Sequence, residues 1–353
     1  MTDSVGDTAT ENTKTVVEIG SVPTNSITDS GWEVADPAFI RAWTDISALA
    51  STRTFFGNDG SRYQLRIDWQ PVLNRVVHSY ETMKRLEKAS NSEERAQAVQ
   101  QFLTTNIDVE CHLDRPPKRP GTDSVIEYFL CDVFLIMNIS TPGSCDFMSA
   151  RIKSQKNPPP LRLSNYFFDS SWVDSFEGKW PPVSFLSVAE TYEWFNKIRN
   201  DFSLIPKNAI ERVLFAILHI CKSDLSPTTI VWIFNALETF YGSRPGENFR
   251  TLVDRINLLL SPSAGELAYM KKSLRNLYDL RSAFVHGGLD VIHPVHDEAM
   301  DEGVDQAYYR LMQASDFGFQ VLLASLQKII SRGWIAPAFH EVMEGVSYDG
   351  KLT

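Results

Sequence analysis

The residues with the most chemical content lie in one stretch, Leu274-Arg275-Asn276-Leu277-Tyr278-Asp279-Leu280-Arg281-Ser282-Ala283-Phe284-Val285-His286-Gly287-Gly288. On a helix of about 100° per residue, Arg275, Asp279, Ser282 and His286 share a polar face. Leu274, Leu277, Tyr278, Leu280, Phe284 and Val285 form a broad apolar face. Arg281 points within that apolar face, and a buried guanidinium requires a paired acid or an anionic ligand. Gly287 and Gly288 are a helix stop signal, which puts His286 in the last turn. The carbonyl end of a helix favours the imidazolium and should raise its pKa, and Asp279 on the same face acts in the same direction. A histidine titrating near neutral pH suits general acid or base chemistry.

A second anomaly lies upstream. The segment Thr229–Tyr241 is apolar nearly all round, and Glu238 is its one formal charge. A lone buried carboxylate needs a cation, and Arg281 needs an acid, so the two are expected as buried partners. Each candidate also has a plainer reading. Arg281 and Glu238 can be a structural ion pair, His286 a helix-capping histidine, and Arg275 with Asp279 an exposed i,i+4 salt bridge. A metal reading of His286, His293 and His296, with Asp290, Asp297 and Glu298 nearby, is weakened by Pro294, and Cys111-His112 has no partner at zinc spacing. Neither a Gly-x4-Gly-Lys-[Ser/Thr] nor a Gly-x-Gly-x-x-Gly string occurs. No metal and no cofactor are expected.

The pattern Asn235-Ala236-Leu237-Glu238 on one helix, then Leu277-Tyr278-Asp279-Leu280-Arg281-Ser282 running into Val285-His286-Gly287, resembles the Apea-like branch of the HEPN superfamily. The family's Arg-x(4–6)-His motif matches at Arg281 and His286. The resemblance covers residues 185–335 or so and implies a homodimeric all-α bundle in which two Arg/His motifs face each other and cleave RNA without a metal. It implies His286 as the acid/base group at the ribose 2′-OH or the leaving oxygen, Arg281 as the residue that orients the phosphate, and a 2′,3′-cyclic phosphate product. Glu238, Asp279, Ser282 and Tyr278 would support them. Many relatives act in phage defence or as toxins, which implies a phage trigger or an antitoxin as partner. Some are neutralised by modification of a tyrosine, which singles out Tyr278, itself expected in the core. Family toxins often carry Asn or Asp after the arginine, where this chain has Ser282. The resemblance also allows a non-catalytic dimerisation or RNA-binding module with a degenerate site.

These residues need a scaffold, and after Pro182 every ordered stretch reads as helix. Apolar residues at three and four spacing run through Ser187–Asn200, Pro206–Cys221, Thr228–Tyr241, Asn248–Leu260, Ser263–Val285 and Asp305–Arg332. Trp194, Trp232 and Trp334 read as core. The first half is mixed. Asp36-Pro37 suggests an N-cap opening a helix to Ala50, Ser61–Trp69 alternates as a half-buried strand, and Pro71–Lys88 and Ser92–Thr105 read as helices. Val125–Ile139 is a buried apolar segment holding Glu127 and Asp132, and Leu161–Phe168 reads as another strand. The expected fold class is an α+β N-terminal half followed by an all-α HEPN-like bundle. The expected division is an acidic flexible tail (1–35, with at most a short strand at Thr15–Ile19), a mixed α/β domain (36–182), the helical domain (183–335) and a C-terminal tail (336–353).

The bulk numbers bound the function. The chain has 353 residues, 43% apolar and 22% charged, enough to bury a sizeable core. Its net charge is −10, which excludes a general wrapper of duplex DNA. Residues 1–36 hold seven acids and one lysine, a net −6, so the remaining chain is only −4 and can carry a local basic site. There is no signal-peptide h-region and no apolar run long enough to span a bilayer, so no membrane partner is expected. The four cysteines form no Cys-x-x-Cys pair, which points to a reducing cytoplasm rather than disulfides.

Overall fold

The computed structural model describes residues 11–19, 32–57, 60–88, 105–114, 121–154, 156–199, 202–222, 226–242, 249–291 and 302–339. Among them are five strands and ten helices. The strands are β1 (Glu11–Ile19), β2 (Thr52–Phe56), β3 (Arg62–Ile67), β4 (Thr105–Leu113) and β5 (Arg151–Ile152). They form one antiparallel sheet in the order β2-β3-β4-β1-β5. In the first half the helices are α1 (Trp32–Leu49), α2 (Gln70–Lys88), α3 (Thr122–Ser140) and α4 (Tyr166–Phe176). In the second they are α5 (Val188–Ile198), α6 (Ala209–Lys222), α7 (Pro227–Phe240), α8 (Phe249–Leu260), α9 (Ala264–Val285) and α10 (Glu302–Ser331). A mixed start followed by a helical second half agrees with the sequence expectation.

Several first-half expectations are corrected. Within the expected tail, the short strand allowed at Thr15–Ile19 is present and begins earlier, at Glu11, pairing with all nine residues of β4 from Glu11↔Leu113 to Ile19↔Thr105. The alternation buries Thr15, Val17 and Ile19 on one face. Lys14 reaches Asp108 of β4 at 3.2 Å on the other. Thr105 therefore opens a strand rather than closing a helix, and the rest of the expected Ser92–Thr105 helix lies outside the described residues. Helix α1 begins at Trp32, so Asp36 and Pro37 sit inside it rather than at its cap. The extra turn buries Ala35 with Phe39, Ala42, Trp43 and Ile46. Leu161–Phe168 is no strand. Leu163 makes a single bridge to Phe147, and α4 starts at Tyr166.

The buried apolar residues on both sides of Pro182 belong to one continuous core. Helix α3 runs through it, buried almost without interruption from Val125 to Ser140. Phe55 of β2 meets Tyr128 and Phe129 of α3 edge-on, at 5.7 and 6.1 Å between ring centroids. The long helix α10 stitches the halves by side-chain amides. Gln327 Nε2 donates to Ile139 O and Ser184 O (2.9 and 2.8 Å), its Oε1 accepts from Ser184 N (3.0 Å), and Gln320 Nε2 donates to Pro181 O (2.8 Å). A buried loop carbonyl without such a donor would cost about 1–3 kcal/mol. All four cysteines are free and buried. Among the described residues no helix is long and apolar enough to cross a membrane.

Candidate active site

Helix α9 carries the Arg/His motif, and both its ends are well specified. At its start Ser263 and Glu266 form a reciprocal capping box, with Ser263 N donating to Glu266 Oε2 at 2.6 Å. At its end Gly287 takes the left-handed conformation, φ +74°, and donates to Phe284 O at 3.3 Å, while Gly288 donates to Ala283 O at 2.7 Å. This is the Schellman arrangement, in which a left-handed glycine lets the chain turn back over the last carbonyls. It makes His286 the C-cap residue, as the two glycines predict.

Met270, Leu274, Leu277 and Leu280 bury one side of α9. Gly318 of α10 permits the approach, since a Cβ there would meet Ile233 Cγ2 of α7 at 2.7 Å and Leu277 Cδ2 at 2.8 Å. The cover stops short of the helix end. Val285 is 54% exposed, and His286 stands in solvent without a side-chain hydrogen bond or ion pair among the described residues.

The expectation of a buried Glu238–Arg281 pair is corrected. Their side chains remain 39% and 34% exposed, and Arg281 Nη2 lies 4.0 Å from Glu238 Oε2, beyond hydrogen-bonding distance. The reason is the uncovered end of α9, where a direction that is interior at Leu277 has become the rim at Arg281. Partial burial still pushes the Glu238 carboxyl above its ordinary range, with the Arg281 charge opposing. Arg281 instead lays its guanidinium over the Phe234 ring of α7, 5.2 Å from the centroid.

The expected Arg275–Asp279 salt bridge is also absent among the described residues. Asp279 is exposed, and Arg275 lies over Phe249 and Tyr278 at 5.1 and 5.7 Å. Tyr278 is half-buried rather than core, with ring centroids 5.7 Å from Phe234 and 5.3 Å from Phe249. The structure thus brings Glu238, Arg281 and Tyr278 together through Phe234. Asp279 stands outside that group, and Ser282 offers His286 its backbone carbonyl, at 3.0 Å. Phe249 was not singled out in the sequence, because its place beside Tyr278 depends on packing of α8 against α9.

Of the three tryptophans read as core, Trp194 is buried and Trp232 stacks on His219 at 4.3 Å, but Trp334 is 44% exposed. His293, His296, Asp297 and Glu298 lie outside the described residues, as do residues 340–353 of the expected C-terminal tail. Phe339, within that expected tail, packs 5.9 Å from Tyr241. Among the described residues no group of three or more His, Cys, Asp or Glu side chains could hold a metal.

The arrangement is a strip of three rings, Phe234, Tyr278 and Phe249, carrying two guanidiniums, and the exposed His286 follows five residues beyond Arg281 at the cap of the same helix. Exposed Lys271 and Lys272 add to it, so α9 holds four cations against Glu266 and Asp279 in a chain of net charge −10. The cations offer phosphates a counter-charge, while Phe234 is itself buried and Tyr278 and Phe249 are half-buried, so the rings serve to seat the guanidiniums. Comparison with family models, with curated proteins and with solved structures returns no match to this chain.

Proposed function

We propose that this protein is an endoribonuclease of the HEPN type, acting as a homodimer through its helical half without a metal. The observation that carries the reading is the availability of its two motif residues. Arg281 is held only loosely by Glu238, and His286 is exposed at a capped helix end. In this mechanism Arg281 binds the scissile phosphate and stabilises its developing charge. His286 removes the proton of the ribose 2′-OH or delivers one to the leaving oxygen, and the internal 2′-OH attack leaves a 2′,3′-cyclic phosphate. One exposed Arg/His pair offers few groups for phosphoryl transfer, and an isologous contact between two α9 ends doubles them. A role in phage defence, with the first half sensing a trigger or restraining the bundle, and a cytoplasmic location belong to the same proposal.

The test is incubation of the purified protein with total RNA in EDTA, beside His286→Ala and Arg281→Ala. Cleavage that persists in EDTA, ends in cyclic phosphate and vanishes in both variants supports the proposal. Cleavage abolished by EDTA and restored by magnesium refutes it.

A second reading has its own observation. Arg281 is already engaged by Phe234 and Glu238, as in an RNA-binding or dimerisation module with no catalysis. RNA that binds to wild type, is released by Arg281→Ala and is never cleaved would select that reading.

A further inference from the structure

We propose that a separate pocket, between the Pro160–Phe167 segment, the end of α6 and the start of α10, binds a small anion carrying a flat ring, the chemistry of a nucleoside monophosphate. The inference is independent of the Arg281/His286 reading, since no residue of that site lines the pocket. The cavity is half-open, with a volume of about 600 Å³, inside the range of about 300–1,000 Å³ usual for small-molecule sites.

The anion is argued from Arg162. Its backbone is left-handed, φ +56°, a conformation that costs a non-glycine residue about 1–2 kcal/mol. Its neighbours Leu161 and Leu163 are both buried, and Leu161 N donates to Ala150 O at 2.8 Å while Phe147 N donates to Leu163 O at 3.0 Å. The turn between these anchored leucines leaves the guanidinium at the exposed pocket wall, where it makes no hydrogen bond or ion pair among the described residues. Strain held at a residue with no structural partner is a mark of a binding function. Lys222, also in the lining, is held by Glu127 at 2.9 Å, and no acidic residue lines the cavity.

The ring is argued from the rest of the lining. Tyr166 and Tyr308 supply aromatic faces, and Met148 and Met312 supply the polarisable contacts that flat rings favour. Tyr166 is itself positioned from behind, donating to Asp316 Oδ2 at 3.4 Å. The floor is fixed by Ser164 N donating to Cys221 O at 3.0 Å, which ties the strained segment to the end of α6.

The test is calorimetric titration of the full chain with AMP, GMP, CMP and UMP, beside adenosine (ring without anion) and ribose 5-phosphate (anion without ring). At least one mononucleotide is expected to bind once per chain, tenfold or more tighter than either half-ligand. Arg162→Asn keeps a residue that tolerates the left-handed backbone, so the urea midpoint should hold while affinity falls tenfold or more. Arg162→Lys should recover part of the loss, and Arg281→Ala should leave binding unchanged. No binding by any of the four nucleotides at millimolar concentration overturns the proposal. So does affinity unchanged in Arg162→Asn, or ribose 5-phosphate binding as tightly as the nucleotides.

Discussion

Arg199 Nη2 meets Asp132 Oδ1 at 3.1 Å in the interior of the molecule, with 2% and 6% of the two side chains exposed. The guanidinium lies among aromatic rings, 4.6 Å from Tyr128, 4.8 Å from Phe215 and 5.5 Å from Phe195. Arg53 Nη2 closes the arrangement by donating to the Arg199 carbonyl at 3.1 Å. Burial pushes the Asp132 carboxyl up to about 6, with the Arg199 and Arg53 charges opposing.

Because each charge is stranded without the other, Asp132→Ala or Arg199→Ala should cost about 3–5 kcal/mol. The joint replacement Asp132→Leu with Arg199→Met should recover most of that loss, because an apolar pair of similar volume has no desolvation penalty. Urea midpoints at unchanged slope, arranged as a double-mutant cycle, measure both effects. Additive losses in the double variant would refute the coupling.

Asp316 makes a prediction in pH. Burial first, then the charge of Asp174, push its carboxyl up to about 7. The native state therefore holds a proton that the unfolded state releases near pH 4, and stability falls as pH rises from about 4 to 7. Asp316→Asn is neutral throughout and should gain on wild type over that window, by something on the order of 2–4 kcal/mol. Urea midpoints of the two proteins at pH 5 and pH 8 check the sign. A wild type that gains on the variant with rising pH contradicts it.

Gly318 sets how closely α7, α9 and α10 approach. Gly318→Ala places a methyl group against Ile233 and Leu277, and overpacking of this kind costs about 1–3 kcal/mol. Elsewhere in a helix interior the same change stabilises by about 0.5–1 kcal/mol, so the sign alone tests the packing. Thermal unfolding of the variant reads it.

Glu238→Gln should change stability by less than about 1 kcal/mol, as befits a half-exposed pair at 4.0 Å. Under the proposed nuclease function it should also tighten RNA binding, by about fivefold at low salt, because it would remove a carboxylate competing with phosphate for Arg281. A filter-binding titration at two salt concentrations is sufficient. Weaker binding by the variant would place Glu238 among the groups that hold RNA.

The helical half was legible because Met270, Leu274, Leu277 and Leu280 repeat at helical spacing and Gly287-Gly288 marks a stop. What that pattern does not carry is where neighbouring helices end, which is why Arg281 was expected inside and lies at the rim. The first half was less legible. Ile107, Val109, Cys111 and Leu113 alternate and are all buried, yet the sequence reading does not mark β4, and it admits β1 only as a short strand at Thr15–Ile19 because acidic residues surround it. Pairing between segments far apart in sequence leaves no local trace. Asp132 was the missed opportunity: a lone acid in an apolar helix demands a cation, the same reasoning that linked Glu238 to Arg281. There it led to the wrong degree of burial, and here it would have led to Arg199.

The position of β1 has a consequence for how the chain is made. Glu11–Ile19 lies between β4 and β5, so its two neighbours in the sheet are synthesised long after it. As the chain leaves the ribosome, β1 waits with unpaired backbone groups until Leu113 has emerged, and β5 can join only after Ile152. Long-range antiparallel closure of this kind is slow compared with forming the helices α5–α10. The sheet is thus the stage at which the nascent chain is exposed to wrong strand pairing and to chaperones.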